Sequence, residues 1–234
     1  MRISEKFDFK QFTVYHDQAT MKVGTDAVLL GAWAELNQAK RILDIGTGSG
    51  VIALMMAQRS SAQTTIEAIE ITTGDCKQAI ENVARSPWPS KIQIHQISLQ
   101  QFQAEQFDLI LSNPPYFNNS YKPPISERTN ARHTETLSHL ELLDHSKRLL
   151  KPNGSLNVIL PITEGNQIKT LAEDKGWYNT RKCVFRSRAS KPLERILLEL
   201  KLDKQELETD ELCLYENALD WSSGYKALTK GFYL

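Results

Sequence analysis

The segment Ser112-Asn113-Pro114-Pro115-Tyr116 combines residue types that could act on a planar amine. Its two adjacent prolines fix the backbone and remove two N–H donors, so the segment presents acceptors in a rigid array. The Asn113 side-chain oxygen and the Pro114 carbonyl could hold both hydrogens of an NH2 group and direct its lone pair at an electrophile. Because an amide takes up no proton near neutral pH, this chemistry would rest on positioning and electrostatics.

The aromatic ring of Tyr116 supplies a second part of such a site. It could stack on a flipped-out base, a contact worth about 1–3 kcal/mol. The structural alternative is a proline-stiffened turn with a partly buried tyrosine. We predict Asn113, Pro114 and Tyr116 as the catalytic residues.

A glycine-rich loop and a later carboxylate predict a nucleoside site. The loop Asp44-Ile45-Gly46-Thr47-Gly48-Ser49-Gly50 joins a buried strand to a helix, where glycines let the backbone turn sharply and approach a ligand. Its G-x-G-x-G spacing differs from the dinucleotide pattern and no GK[ST] follows, which disfavours a pyrophosphate. Glu70 ends the next strand roughly 20 to 25 residues on, where a carboxylate can bind both ribose hydroxyls. The cofactor indicated is a nucleoside without phosphate.

From Arg41 onward, short apolar runs alternate with helical patterns, which is typical of a parallel sheet built from βαβ units. The patterns predict strands over 41–45, 64–70, 91–97, 107–112, 155–160, 178–185 and 196–200, and helices over 51–59, 75–85, 137–150 and 164–175. Only a basic loop separates the last two strands, so we expect them to pair antiparallel. The predicted fold is Rossmann-like, with a seven-stranded, mostly parallel, doubly wound sheet whose last strand is antiparallel.

The length of 234 residues fits one large α/β domain. Residues 1–40 are predicted to be an N-terminal extension that packs on the active site, and residues 41–234 the main domain. The tail over 202–234 has no assigned structure.

Composition favours a cytoplasmic protein. Its three cysteines have no paired spacing, which argues against zinc and disulfides, and no segment resembles a secretory signal or a membrane span. The net charge is zero, yet the segment from Arg181 to Arg195 contains six basic residues and a single acid, Glu194. A neutral total can therefore hide a basic face that binds phosphates, although a solvated surface is the simpler interpretation.

The motifs resemble class I methyltransferases of the N6-adenine and glutamine-N5 group, which carry [ND]-P-P-[YF] after the fourth strand. Further blocks of the sequence narrow the resemblance, and they lie at 21–33, 86–88, 113–117, 131–132 and 232–234. With them, nearly the whole chain is similar to the bacterial tRNA(Val) adenine-N6 methyltransferase family, which modifies the adenine beside the anticodon. The block from Met21 to Trp33 is the most specific part.

The resemblance implies S-adenosylmethionine as cofactor and adenine N6 in tRNA(Val), at tRNA position 37, as target. It assigns Thr25 and Asp26 to the methionine end of the cofactor or the target pocket. The cofactor-binding residues that it implies are Thr25, Asp44, Gly46, Gly48, Gly50, Glu70, Ser98 and Asn113. Ser98 departs from the pattern, because many class I enzymes place an acid there to bind the cofactor's adenine amine.

A tRNA partner requires phosphate contacts, which we predict for Arg128, Arg132, Arg186, Arg188 and Lys191. Three histidines fall six residues apart near one helix, which is not a ligand spacing, so we expect no metal. No apolar run is long enough to cross a bilayer, so we expect no membrane partner. A monomer is the expected state.

Four other functions are alternatives to this interpretation of the sequence. A protein glutamine-N5 methyltransferase would use the same motif, but those enzymes usually carry a sizeable helical N-terminal domain. A ribosomal RNA adenine could replace the tRNA adenine. A catalytically idle RNA-binding module is disfavoured by the intact Asn113, Tyr116 and Glu70. A dinucleotide oxidoreductase is disfavoured by the glycine spacing.

Overall fold

A twisted sheet forms the centre of the computed structural model, which describes residues 5–114, 137–217 and 220–233. Within these residues the sheet has nine strands in the order β11-β10-β8-β9-β7-β6-β3-β4-β5. The strands are β3 (Arg41–Ile45), β4 (Thr65–Glu70), β5 (Ile92–Gln96), β6 (Phe107–Ser112), β7 (Leu150–Pro161), β8 (Tyr178–Arg188), β9 (Arg195–Lys201), β10 (Glu208–Asn217) and β11 (Asp220–Trp221). A separate antiparallel hairpin joins β1 (Lys6–Asp8) to β2 (Thr13–Tyr15).

The predicted α/β class and its mostly parallel sheet are confirmed. Strands β3 to β7 are mutually parallel, and β9 runs antiparallel between β7 and β8. The chain winds from β3 through β4 to β5 at one edge and then returns to β6 beside β3. In open α/β sheets, ligands bind at such a reversal of strand order, outside the carboxyl ends of the strands.

The tail extends the sheet beyond the seven predicted strands. Strand β10 pairs parallel with β8, and the two-residue strand β11 pairs antiparallel with β10. Sequence patterns missed β10 because it lies near the sheet edge and is largely exposed, so it lacks the apolar alternation of a half-buried strand. Strand β8 also continues to Arg188, so Arg186 and Arg188 lie in a strand and not in the predicted loop.

Two apolar layers cover the sheet. The helices are α1 (Thr25–Trp33), α2 (Val51–Arg59), α3 (Thr73–Arg85), α4 (His139–Leu149), α5 (Ile162–Asp174) and α6 (Ser223–Thr229). Buried residues of α1, α2, α3 and α6 form one core cluster with the hairpin, and those of α4 and α5 form the other. This two-sided burial explains the continuous apolar runs of the central strands.

Local sequence signals fix several helix ends. Ser138 caps α4 in a capping box, in which its side chain accepts from the Glu141 N–H and the Glu141 carboxylate accepts from the Ser138 N–H. Gly176 follows α5 with φ of +75°, the left-handed conformation in which glycine commonly ends a helix. Strand β7 begins at Leu150, before the predicted start, because Leu150 pairs with Phe107 ahead of a register shift.

Candidate active site

The carboxyl ends of β3, β4 and β6 bring the predicted motifs to one edge of the sheet. Ile45 pairs with Ser112 on one side and with Ile69 on the other. The Ser112 hydroxyl donates to the Ile45 carbonyl at 3.0 Å, which locks the ends of β6 and β3 together. Asn113 therefore follows β6 one strand spacing, about 4.8 Å, from the start of the glycine loop.

The glycine loop adopts a conformation that requires glycine. Gly46, Gly48 and Gly50 have φ of +70°, +55° and +88°, in the left-handed region. A Cβ atom built on Gly46 or Gly48 would meet nothing within 4 Å, whereas one on Gly50 would lie 3.5 Å from Ala79 Cβ. Gly46 and Gly48 thus border open space, as a ligand cradle does, and Gly50 packs against α3.

Because Gly48 borders open space and Gly50 does not, substitutions at the two positions can distinguish an effect on cofactor binding from an effect of backbone strain. Both Gly48→Ala and Gly50→Ala should cost about 1–2 kcal/mol of strain, because both glycines are left-handed. We expect similar drops in melting temperature, roughly 2–8 °C for a chain of this size. Calorimetric titration with S-adenosylhomocysteine should show at least a tenfold affinity loss only for Gly48→Ala. Equal loss in both variants would mean that the open space at Gly48 is not the cofactor cleft.

Glu70 holds the loop from below. Its Oε2 accepts from the Gly48 N–H at 3.0 Å, and its Oε1 accepts from the N–H groups of Ile71 and Thr72 at 2.8 and 2.9 Å. The side chain is 8% exposed, so these bonds fix it at the end of β4. A carboxylate offers about four acceptor sites, which leaves Oε2 one for a hydroxyl in the cleft.

Asp44 lies beneath the loop and is fully buried. Its Oδ2 accepts from the Thr47 hydroxyl at 2.5 Å and from the Ala53 N–H at 3.1 Å, which ties β3 to the loop and to α2. Burial raises the pKa of the Asp44 carboxyl to about 7. The two hydrogen bonds lower this pKa and the nearby Glu70 raises it, but each of these effects is smaller than that of burial. Its other oxygen has no hydrogen-bond partner within the described part of the chain. Asp44 therefore acts first as the support of the loop.

The raised pKa of Asp44 predicts a pH-dependent stability. An acid whose folded pKa exceeds its unfolded value of about 3.9 holds its proton better in the folded state, so it destabilises the fold as pH rises from about 4 to 7. Asp44→Asn should remove this dependence. The free energy of unfolding of the variant relative to wild type should rise by a few kcal/mol across that range and then stay constant.

Asp108 supplies the matched control for this titration. Burial raises its pKa, but hydrogen bonds from Lys151 and from the N–H groups of Arg41 and Lys40 outweigh burial, so the net pKa is lowered. Asp108→Asn should therefore cost most stability at neutral pH and less in acid. Urea titrations at each pH measure both variants, and an identical trend in the two would contradict the assignment of Asp44.

The other predicted site residues lie around this edge. Asn113 is half-buried and Pro114 is buried, while Tyr116 lies outside the described residues. Thr25 is exposed at the start of α1, and the next residue, Asp26, pairs with Arg195 Nε at 2.8 Å. Ser98 follows β5 next to Ile97, whose N–H donates to the Glu70 carbonyl at 3.1 Å. The Ser98 hydroxyl itself donates to Gln101 Oε1 at 3.3 Å, which adds Gln101 to the polar groups near this position.

Sequence reasoning missed two sets of contacts that hold the site. The Asp26–Arg195 ion pair joins α1 to β9 across 169 positions, and no local pattern indicates it. Asp75, Gln78 and Asn82 are buried on α3 and bind the N-terminal segment. Their spacing of three and four residues on the apolar face of a helix was a usable signal, since buried polar groups need partners.

Three of the predicted phosphate-binding residues lie at the same edge of the sheet, because β8 ends there. Arg186 pairs with Glu211 at 2.7 Å, and the Arg188 guanidinium lies 5.0 Å from the centre of the Tyr215 ring. Lys191 is exposed in the loop that follows. Arg128 and Arg132 lie outside the described residues.

The described residues hold neither a metal-binding cluster nor a membrane-spanning helix. They contain no cluster of three or more His, Cys, Asp or Glu side chains that could hold a metal ion. In the same part of the chain, no helix is long and apolar enough to cross a membrane.

Solved structures share this fold. A protein described as a predicted O-methyltransferase from Agrobacterium tumefaciens superposes with a TM-score of 0.67 and 17% identity, over 88% of this chain and 96% of that chain. TYW2 of P. horikoshii, in complex with MeSAdo, superposes with a TM-score of 0.57 and 14% identity, over 83% and 69%. This fold, together with the match of the methyltransferase small domain model, defines a class I S-adenosylmethionine-dependent methyltransferase.

Sequence relatives give the family. The model of the methyltransferase small domain matches residues 14–173. A protein of Tolumonas auensis is 44% identical over 228 residues, which cover 97% of this chain and 96% of its own length. One of Bacteroides fragilis is 42% identical over 232 residues, with 97% of each chain covered. Both are named tRNA1(Val) (adenine(37)-N6)-methyltransferase.

The chain belongs to the methyltransferase small domain family and, within it, to the family that these relatives form. The predicted resemblance is thereby confirmed, as is S-adenosylmethionine as cofactor. The structure fits this cofactor, because the cleft at Gly46 and Gly48 is open and the Glu70 carboxylate lies at its border.

Proposed function

We propose that the chain transfers a methyl group from S-adenosylmethionine to N6 of adenine 37 in tRNA1(Val). Full-length identity of 40–44% to relatives that bear this name is the observation that carries the proposal. The position of Asn113 one strand from the glycine loop supports it, since the target nitrogen and the methyl donor must meet there.

The proposed chemistry uses the chain's own groups to prepare the amine. The cofactor supplies a methyl group bound to a positively charged sulfur. The Asn113 side-chain oxygen and the Pro114 carbonyl accept hydrogen bonds from the two N6 hydrogens, which directs the nitrogen lone pair at that methyl group. The N–C bond forms as the C–S bond breaks, and the nitrogen then loses one proton to solvent.

The remaining predicted residues complete the proposed site. Tyr116 would stack on the flipped adenine, and Thr25 and Ser98 would contact the cofactor. Asp44 would support the glycine loop, in which Gly46 and Gly48 would border the methionine and ribose while Gly50 packs against α3. These roles follow from their positions along the carboxyl edge of the sheet, or from the motif alone for Tyr116.

The proposed RNA surface follows the same edge from β6 to β10. Arg188 and Lys191 are its main described candidates. Arg186 contributes less charge because it is paired with Glu211. Arg128 and Arg132 remain predictions from the motif, and each arginine or lysine would bind phosphate without regard to sequence.

We further propose that residues 1–40 are an extension that packs on the active site, and that the protein acts as a monomer in the cytoplasm. The burial of Phe9, Phe12 and Val14 in the core with α2 supports the first point. Three free thiols, Cys76, Cys183 and Cys213, are compatible with a reducing compartment.

The proposal is tested by incubating the protein with labelled S-adenosylmethionine and total RNA from a strain that lacks its gene. Digestion and mass analysis should reveal N6-methyladenosine in the tRNA fraction alone. Label in ribosomal RNA would move the substrate to that RNA, and label in a protein band would support glutamine methylation.

A further inference from the structure

Helix α3 binds the N-terminal segment over 15–20 through three buried side chains. Thr20 N–H donates to Asp75 Oδ1 at 2.5 Å, Gln18 N–H to Gln78 Oε1 at 3.0 Å, and Tyr15 N–H to Asn82 Oδ1 at 2.9 Å. The segment therefore runs along α3 toward its first turn, which begins just after Glu70.

Asn82 differs from the other two because it also binds the glycine loop. Its Nδ2 donates to the Tyr15 carbonyl at 2.8 Å and to the Ser49 carbonyl at 2.8 Å. The side chain is fully buried, so both amide donors and the oxygen are used within the protein. One residue thus connects the N-terminal segment, α3 and the loop that borders the cofactor.

The far end of the segment is held on the other side of the site. After Thr20 the chain continues to α1, where Asp26 pairs with Arg195 at the start of β9. Strand β3, β6 and β7 separate β4 from β9 in the sheet. Residues 20–26 must therefore cross the carboxyl ends of those three strands, where the glycine loop and Asn113 lie.

The N-terminal segment over 15–20 packs closely against α3. A Cβ atom on Gly74, in the first turn of α3, would lie 3.2 Å from the Gln18 carbonyl. On the other side of α3, the loop residue Gly50 packs against Ala79. The helix is in contact with the segment and the loop at once, so movement of one is transmitted to the other.

We propose that residues 15–26 form a strap over the cofactor cleft, and that Asn82 is the positioning residue that couples this strap to the glycine loop and thereby sets cofactor affinity. The inference rests on the proposed function only in that S-adenosylmethionine binds at the glycine loop. Asn82 touches neither the cofactor nor the substrate amine and acts through the backbone of Tyr15 and Ser49.

The affinity test compares two variants that each lose a bond to the strap. Asn82→Ala loses the hydrogen bonds to Tyr15 of the strap and to Ser49 of the loop. Gln78→Ala loses only the hydrogen bond from Gln18, at an equally buried position. Titration with S-adenosylhomocysteine should show at least tenfold weaker binding for Asn82→Ala and less than threefold for Gln78→Ala. Urea midpoints that fall together in the two variants would show that lost stability is not the cause.

A second measurement uses unmodified protein, in case Asn82→Ala does not fold. Lys22 is exposed on the strap, so trypsin can cut after it. Saturating S-adenosylhomocysteine should slow that cleavage at least fivefold. If bound ligand does not affect cleavage, or if the two variants have equal affinities, the proposal that residues 15–26 form a strap is wrong. If wild type binds no S-adenosylhomocysteine at all, the proposed function fails first and the strap fails with it.

Discussion

Replacing Asn113 by alanine should lower the rate of methyl transfer at saturating cofactor by about 10²–10³-fold, a larger loss than that of S-adenosylhomocysteine affinity. The loss expected for one preorganised hydrogen-bonding group in an active site is of this size. The side-chain oxygen contributes most when the amine nitrogen becomes tetrahedral, because its N–H groups are then most acidic. Single-turnover rates measured with saturating cofactor and tRNA separate this effect from binding.

Two controls restrict the interpretation of this result. Asn113→Asp keeps an acceptor oxygen in place and should retain more activity than Asn113→Ala. Ser112→Ala removes the hydroxyl that donates to the Ile45 carbonyl at the neighbouring position but keeps the acceptor at residue 113. A rate for Asn113→Ala within tenfold of wild type would remove Asn113 from the catalytic residues.

Replacing Glu70 by alanine should weaken S-adenosylhomocysteine binding by about 100-fold. Hydrogen bonds to a charged group contribute about 1.5–3 kcal/mol each, and every 1.4 kcal/mol is a tenfold change in affinity. The variant would lose the proposed bond to a ribose hydroxyl and would also release the Gly48 N–H that Glu70 holds at 3.0 Å. Calorimetric titration measures the change directly.

Glu67→Ala is the matched control for Glu70. Glu67 lies on the same strand, and its carboxylate pairs with Arg41 at 2.7 Å and with His95 at 3.1 Å, away from the glycine loop. Its loss should lower stability with less than a threefold effect on ligand affinity. Equal affinity losses in Glu67→Ala and Glu70→Ala would show that general destabilisation, and not a ribose contact, explains the result.

The parts of the fold that sequence patterns predicted are those where burial and turn chemistry agree. Strand β3 and helix α2 fall at their predicted bounds because a buried apolar run, three glycines and a second apolar run follow one another. Strand β6 was predicted for the same reason, since Leu109, Ile110 and Leu111 are apolar on both faces and Asn113-Pro114 ends it. The edge on which the motifs meet then follows from parallel pairing alone.

The parts that were missed depend on long-range contacts. Strand β10 forms because β8 offers it an edge, and its own exposed sequence gives little sign of a strand. The interaction of Asn82 with Tyr15 and Ser49 joins segments 67 and 33 positions apart. Such contacts are set by how helices pack on the sheet, which residue periodicity does not determine.

The most direct test of the central claim is methylation of a synthetic tRNA1(Val) transcript by the purified protein, with a second transcript that carries guanosine at position 37. We predict one N6-methyladenosine per molecule of the first transcript, found by mass spectrometry in the anticodon-loop fragment, and none in the second. Equal methylation of both transcripts, or none in either by protein that binds S-adenosylhomocysteine, would contradict the account.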